Sequence, residues 1–166
     1  MPVTMSACGY TLAGRGSFLP AHISRIGVPL FVNHTATFDI ERRFTTKVTS
    51  ELIGLGRYTV NQDRTGVDAV LIGEILSITS NLAAANQQQQ ASRYTLTVIV
   101  KVEFRDLKND KVIWSNPAWP FSEQFEVTNA QSGTDANVFL NQDINAQERL
   151  ATEFARALVS AILEAF

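Results

Sequence analysis

The chain has one cysteine, Cys8, and two histidines, His22 and His34. A single cysteine excludes an internal disulfide framework, and two isolated histidines fall short of the clustered ligands a zinc site needs, so no metal is expected. No apolar run reaches the roughly 18 residues of a membrane-crossing helix. Charged residues make up 18% and the formal net charge is −2, which excludes an overall attraction for nucleic acid or for anionic lipid. No Gly-x-Ser-x-Gly elbow occurs, neither histidine stands beside a nucleophile in a recognisable spacing, and Gly14-Arg15-Gly16-Ser17 is too short for a phosphate-binding loop. These absences point away from an enzyme.

What is there begins with the setting of the lone cysteine, Val3-Thr4-Met5-Ser6-Ala7-Cys8-Gly9-Tyr10. An apolar residue, small residues, then Cys and Gly is the pattern read by a bacterial lipoprotein signal peptidase once the thiol carries a diacylglyceryl group. A secretory signal needs a charged start and an apolar stretch of about 7–15 residues. Residues 1–7 are therefore read as the remnant of a signal, with the chain starting late or trimmed. Attachment to a membrane would then come through lipid on Cys8, where two or more acyl chains hold and one is marginal.

Residues 8–21 carry Gly9, Gly14, Gly16 and Pro20 and read as a tether, and residues 22–166 as one domain. At 45% hydrophobic residues a domain of this size can bury a core without staples. His22 to Val32 reads as a first strand, with Pro29 marking an edge or an end. Ile40, Phe44, Val48, Leu52 and Leu55 form one helical stripe, closed by Gly54 and Gly56. Tyr58 to Val60 reads as a short strand, and Val67 to Ile78 as a strand covered on both faces for part of its length. Asn81 to Ser92, with its run of glutamines, reads as a low-complexity loop.

The clearest signal is Tyr94, Leu96, Val98, Val100, Val102 and Phe104 alternating with Thr95, Thr97, Ile99, Lys101, Glu103 and Arg105, the period of a half-buried strand. Asp106 to Asp110 turns it into Lys111 to Trp114, and Trp119 to Val127 reads as a further strand. A last helix is expected from Asn145, through a capping box Asn145-Ala146-Gln147-Glu148, with Leu150, Phe154, Leu158, Ile162 and Phe166 on its apolar face. The order predicts an α+β two-layer sandwich: two helices on one face of a mainly antiparallel sheet of four to six strands.

Glu74 sits inside an apolar strand and is expected to pair with a base. Arg93, Lys101 and Arg105 fall on the odd, outward positions of the long strand, a strip that can meet phosphate groups through charge and guanidinium geometry.

Cys8-Gly9-Tyr10 and a Gly-rich spacer lead to Ile26-Gly27-Val28-Pro29-Leu30-Phe31-Val32-Asn33 and a helix. Asp68 to Ile75, the Tyr94 to Phe104 strand, Val112-Ile113-Trp114 and a C-terminal helix follow. In that order they resemble the LptE family, the lipopolysaccharide-assembly lipoproteins. The resemblance implies an outer-membrane lipoprotein on the periplasmic face, lodged as a plug in the LptD β-barrel, supporting its assembly and helping lipopolysaccharide to the outer leaflet. Gly9, where Asp would retain a lipoprotein, is similar to lipoproteins sorted to the outer membrane.

The resemblance further implies no cofactor beyond the covalent diacylglyceryl and N-acyl lipid, such as palmitate, on Cys8. Arg93, Lys101 and Arg105 become the candidates for lipid A phosphate. Two other readings fit: a lipoprotein adaptor of an envelope enzyme such as a peptidoglycan synthase, or a lipid-binding accessory protein. An apolar cavity between helices and sheet would mark the last.

Overall fold

The structure is a computed structural model, and it describes residues 19–85, 91–126, 140–141 and 143–165. Two helices pack on one face of an open sheet of six strands, an α+β fold. The strands are β1 (Arg25–Gly27), β2 (Val32–Asn33), β3 (Thr59–Asn61), β4 (Ala69–Ala85), β5 (Ala91–Asp106) and β6 (Lys111–Glu126). The helices are α1 (Ile40–Gly54) and α2 (Ile144–Leu163). The sheet runs β3-β1-β4-β5-β6, with β2 also on β4. β4, β5 and β6 form an antiparallel meander, whereas β1 pairs parallel with β3 and β4, and β2 parallel with β4, so the sheet is mixed.

The first strand expected from the sequence is two strands. The Val28 N–H still donates to the Asn61 carbonyl at 2.7 Å, and from Pro29 to Phe31 the chain leaves the ladder, because proline restricts its own φ and that of the residue before it and brings no donor. Phe31 is thereby freed to drop its ring over Gly73 of β4. A β-carbon at Gly73 would lie 2.3 Å from a Phe31 ring carbon. The Phe31 N–H donates to Thr45 Oγ1 at 2.9 Å, which ties this segment to α1.

β4 and β5 run through much of the segment read as a loop. Asn81 pairs with Thr95 and Ala85 with Ala91, because ladder bonds are made by the backbone and need no apolar side chain. Residues 86–90 lie outside the described residues. β4 has Ala69, Val70 and Leu71 buried in succession, the two-sided cover expected of its apolar start.

β6 is continuous where two strands were expected, with Pro117 taken up in an irregularity between Trp119 and Asn116. It is also the edge of the sheet. Pro120 sits opposite Ile99, a position it can hold where the missing donor faces away from β5. Gln124 has the same parity, and its carbonyl accepts from Arg149 Nη2 at 2.6 Å. The Ala118 N–H donates to Asn116 Oδ1 at 3.1 Å.

The core lies between the helices and the sheet. From α1 come Ile40, Phe44, Val48 and Leu52, and from α2 Leu150, Phe154, Leu158 and Ile162, all buried. Tyr94, Leu96, Val98, Val100, Val102 and Phe104 are buried beneath them, as the period of two requires. Phe154 is the hub: its ring lies 4.7 Å from Phe44, 5.7 Å from Trp119 and 5.9 Å from Phe121. Phe166 lies outside the described residues. The α2 cap is Asp143, whose Oδ1 accepts from the Ala146 N–H at 3.0 Å, two residues before the expected Asn145. Aspartate takes the position because its carboxylate satisfies an unpaired N–H at the positive end of the helix.

Candidate functional site

The outward face of the meander follows from the pleat. With the even positions of β5 in the core, Thr95, Thr97, Ile99, Lys101, Glu103 and Arg105 point to the other side. Near the turn between β5 and β6 that face is charged; farther along it carries hydroxyls. Thr79, Thr97 and Ser122 stand side by side across three strands, with Thr97 and Ser122 hydroxyls 2.8 Å apart.

The three basic residues singled out in the sequence all lie on this face or its rim, and each has a carboxylate. Lys101 Nζ is 2.7 Å from Glu74 Oε1, and His34 Nε2 is 3.4 Å from the other oxygen. The bond from Lys101 holds the Glu74 carboxyl below its ordinary range against the opposing effect of desolvation, with His34 adding to it. In turn the bond to Glu74 raises Lys101. Glu74 is therefore the partner of a base, as its place in an apolar strand implied.

Arg105 donates to Glu103 at 2.9 Å and to Asp110 at 3.1 Å, which raises its pKa further. Arg93 meets Glu126 at 3.0 Å. At a strand rise of about 3.3 Å, Arg93 stands some 26 Å from Lys101 along β5, and Lys101 about 13 Å from Arg105. The structure brings Lys101 and Arg105 into one charge-balanced ladder and leaves Arg93 at the far end. Cys8 lies outside the described residues.

Sequence reasoning missed Arg149. From α2 it lies over the Phe125 ring at 4.1 Å and reaches the Gln124 carbonyl. It borders a crevice of about 610 Å³ between α2 and the end of β6, shared with Arg93, Glu123, Glu126, Asp143 and Glu153. That crevice is at the rim and charged, whereas the apolar side chains facing each other between helices and sheet form one buried cluster. No signal in the sequence separates Arg149 from other helix-surface arginines.

Two buried aspartates pin the other end of the sheet. Asp68 Oδ2 accepts from the backbone N–H groups of Arg25 and Ser24 at 2.9 and 3.1 Å. Those bonds, with lesser ones from the two side chains, hold its carboxyl far below the usual range despite burial. Burial pushes Asp106 up, but bonds from Asn109, His22 and the Lys108 N–H outweigh it and leave it at about 2.

Both carboxyls bind protons less readily folded than unfolded, where an aspartate titrates near about 3.9. Their stabilisation is present in full above the unfolded value and is lost progressively as pH falls from there through the lowered folded values. The urea midpoint is expected to hold between pH 7 and 5 and to drop below about pH 4, with the drop shallower in Asp106→Asn. A midpoint independent of pH down to 3 would contradict this.

Among the described residues no group of three or more His, Cys, Asp or Glu is placed to hold a metal ion, and no helix is long and apolar enough to cross a membrane. The described residues thus form an α+β domain, a two-layer sandwich with a buried apolar core and an ion-paired outer sheet face. Solved structures share the fold. A protein from Xanthomonas campestris has a TM-score of 0.57 at 12% identity, covering 86% of this chain and 85% of its own. PelC from Paraburkholderia phytofirmans, solved as a dodecamer, has 0.53 at 17%, covering 86% and 90%. Lipoprotein B from Nitrosomonas europaea has 0.51 at 13%, covering 92% and 88%.

No curated protein sequence matches the chain. The model of LptE, described as lipopolysaccharide-assembly, matches residues 23–162. The chain belongs to the LptE family, a non-catalytic family of envelope lipoproteins concerned with lipopolysaccharide assembly.

Proposed function

We propose that this chain is an outer-membrane lipoprotein on the periplasmic face, acylated at Cys8, that plugs the LptD β-barrel, supports its assembly and assists lipopolysaccharide to the outer leaflet. The family match across residues 23–162 carries this reading. A further feature supports it. Apart from Ile99, the outer face of β5 offers hydroxyls and neutralised charge, which suit the polar interior wall of a large barrel.

Arg93, Lys101 and Arg105 are proposed as contacts for lipid A phosphate. Since each is paired, phosphate must exchange with a carboxylate. The Arg93–Glu126 pair, 46% and 75% exposed, is the one that opens at least cost, because exposed pairs contribute about 0–1 kcal/mol.

The test is co-purification of the tagged full-length protein from detergent-solubilised envelopes, with associated proteins identified by mass spectrometry. A stoichiometric large β-barrel is the expected result. Recovery of a peptidoglycan synthase, or of no partner, would overturn the plug. Cys8→Ala is expected to move the chain from the membrane pellet to the soluble fraction, with an unchanged melting profile. Retention of that variant in the pellet would remove the lipid anchor.

A further inference from the structure

We infer that, before the chain enters a barrel, the end of the fold bearing the β5–β6 turn rests on the headgroup layer of the bilayer, with Leu107 and Val112 against it. The inference depends on acylation of Cys8 and adds to it an orientation and a contact surface.

The chain joins the fold at one end only. Leu19 is buried, and its N–H donates to the Tyr58 hydroxyl at 3.2 Å. His22 Nε2 lies 2.6 Å from Asp106 Oδ2 and 3.3 Å from Asn109 Nδ2, so the arriving segment is held to the β5–β6 turn itself. Residues 9–18 separate Cys8 from Leu19. Fully extended, they allow a reach of roughly 40 Å. The opposite end of β4, at Ala85, is about 53 Å of strand away from Ala69, beside the turn. A lipid on Cys8 therefore places the turn nearer the bilayer than the hairpin tip.

The turn is built as a fixed wedge. Asp106 Oδ1 accepts from the Lys108 and Asn109 N–H groups at 2.8 and 3.2 Å. The Leu107 N–H donates to the Asp68 carbonyl at 2.9 Å, and Asp110 takes a left-handed φ of 47°. This frame holds Leu107 and Val112 outward at 40% and 37% exposure. An apolar pair flanked by Lys108 and Lys111 matches the boundary of a bilayer, where aliphatic groups enter and ammonium groups meet phosphate. Lys108 already leans on Asp68 at 3.8 Å.

The experiment uses the full acylated chain in vesicles of phosphatidylethanolamine and phosphatidylglycerol. Leu107→Cys and, on the outer face far from the turn, Thr79→Cys each carry the only free thiol, since Cys8 is acylated. An environment-sensitive fluorophore at 107 is expected to emit blue-shifted and to escape quenching by aqueous iodide, while the same probe at 79 stays quenched. Equal quenching at both positions in chains that float with the vesicles would overturn the orientation and leave the anchor standing. Chains that do not float would overturn both.

Discussion

Leu158→Asp is expected to yield no cooperatively folded protein. Leu158 is fully buried on α2, one turn from Phe154, in the layer shared by both helices and the sheet. The substitution removes the transfer energy of a leucine, about 2–5 kcal/mol with its cavity, and sets a carboxylate among aliphatic groups with no donor to meet it. The sum rivals the whole stability of a small domain, about 5–15 kcal/mol. Circular dichroism and a urea titration check this. A soluble variant with a sharp transition would show that α2 is not core.

Gly73→Ala is expected to cost about 3 kcal/mol or more, the range of losing a buried aromatic ring. Its β-carbon would meet the Phe31 ring at 2.3–2.5 Å, and Phe31, itself 2% exposed, is held by its N–H to Thr45. The ring must leave. If that is the mechanism, Gly73→Ala should be far milder in a Phe31→Ala background, because two residues in contact do not add. Strictly additive destabilisation in the double variant would refute it.

The parts legible in the sequence are those whose signal is local. The alternation from Tyr94 to Phe104 and the four-residue stripes of α1 and α2 carry their own periods, and the buried faces follow them. Boundaries that depend on contacts were not legible. Pro29 splits one apolar run into β1 and β2 because Phe31 has a hollow to fill on β4, a strand far along the chain. Pro117 and Pro120 do not end β6 because one is absorbed in an irregularity and the other lacks a donor only where none is required. The odd positions of β5 placed Lys101 and Arg105 on the outer face and set Glu103 two residues from Arg105, but Glu74 of β4 and Asp110 of the turn reach them from elsewhere in the chain, which spacing does not reveal.

The flank of the sheet at β6 has a meaning for the life of the chain before it finds its place. A sixteen-residue bare edge is ordinarily a template on which another copy grows. Here Pro120 offers a newcomer no donor, Asn116 occupies the Ala118 N–H, and Arg149 occupies the Gln124 carbonyl. Copies crowded together thus find a gapped ladder instead of a continuous one. The β6 edge therefore resists strand addition by a second copy without needing a cover.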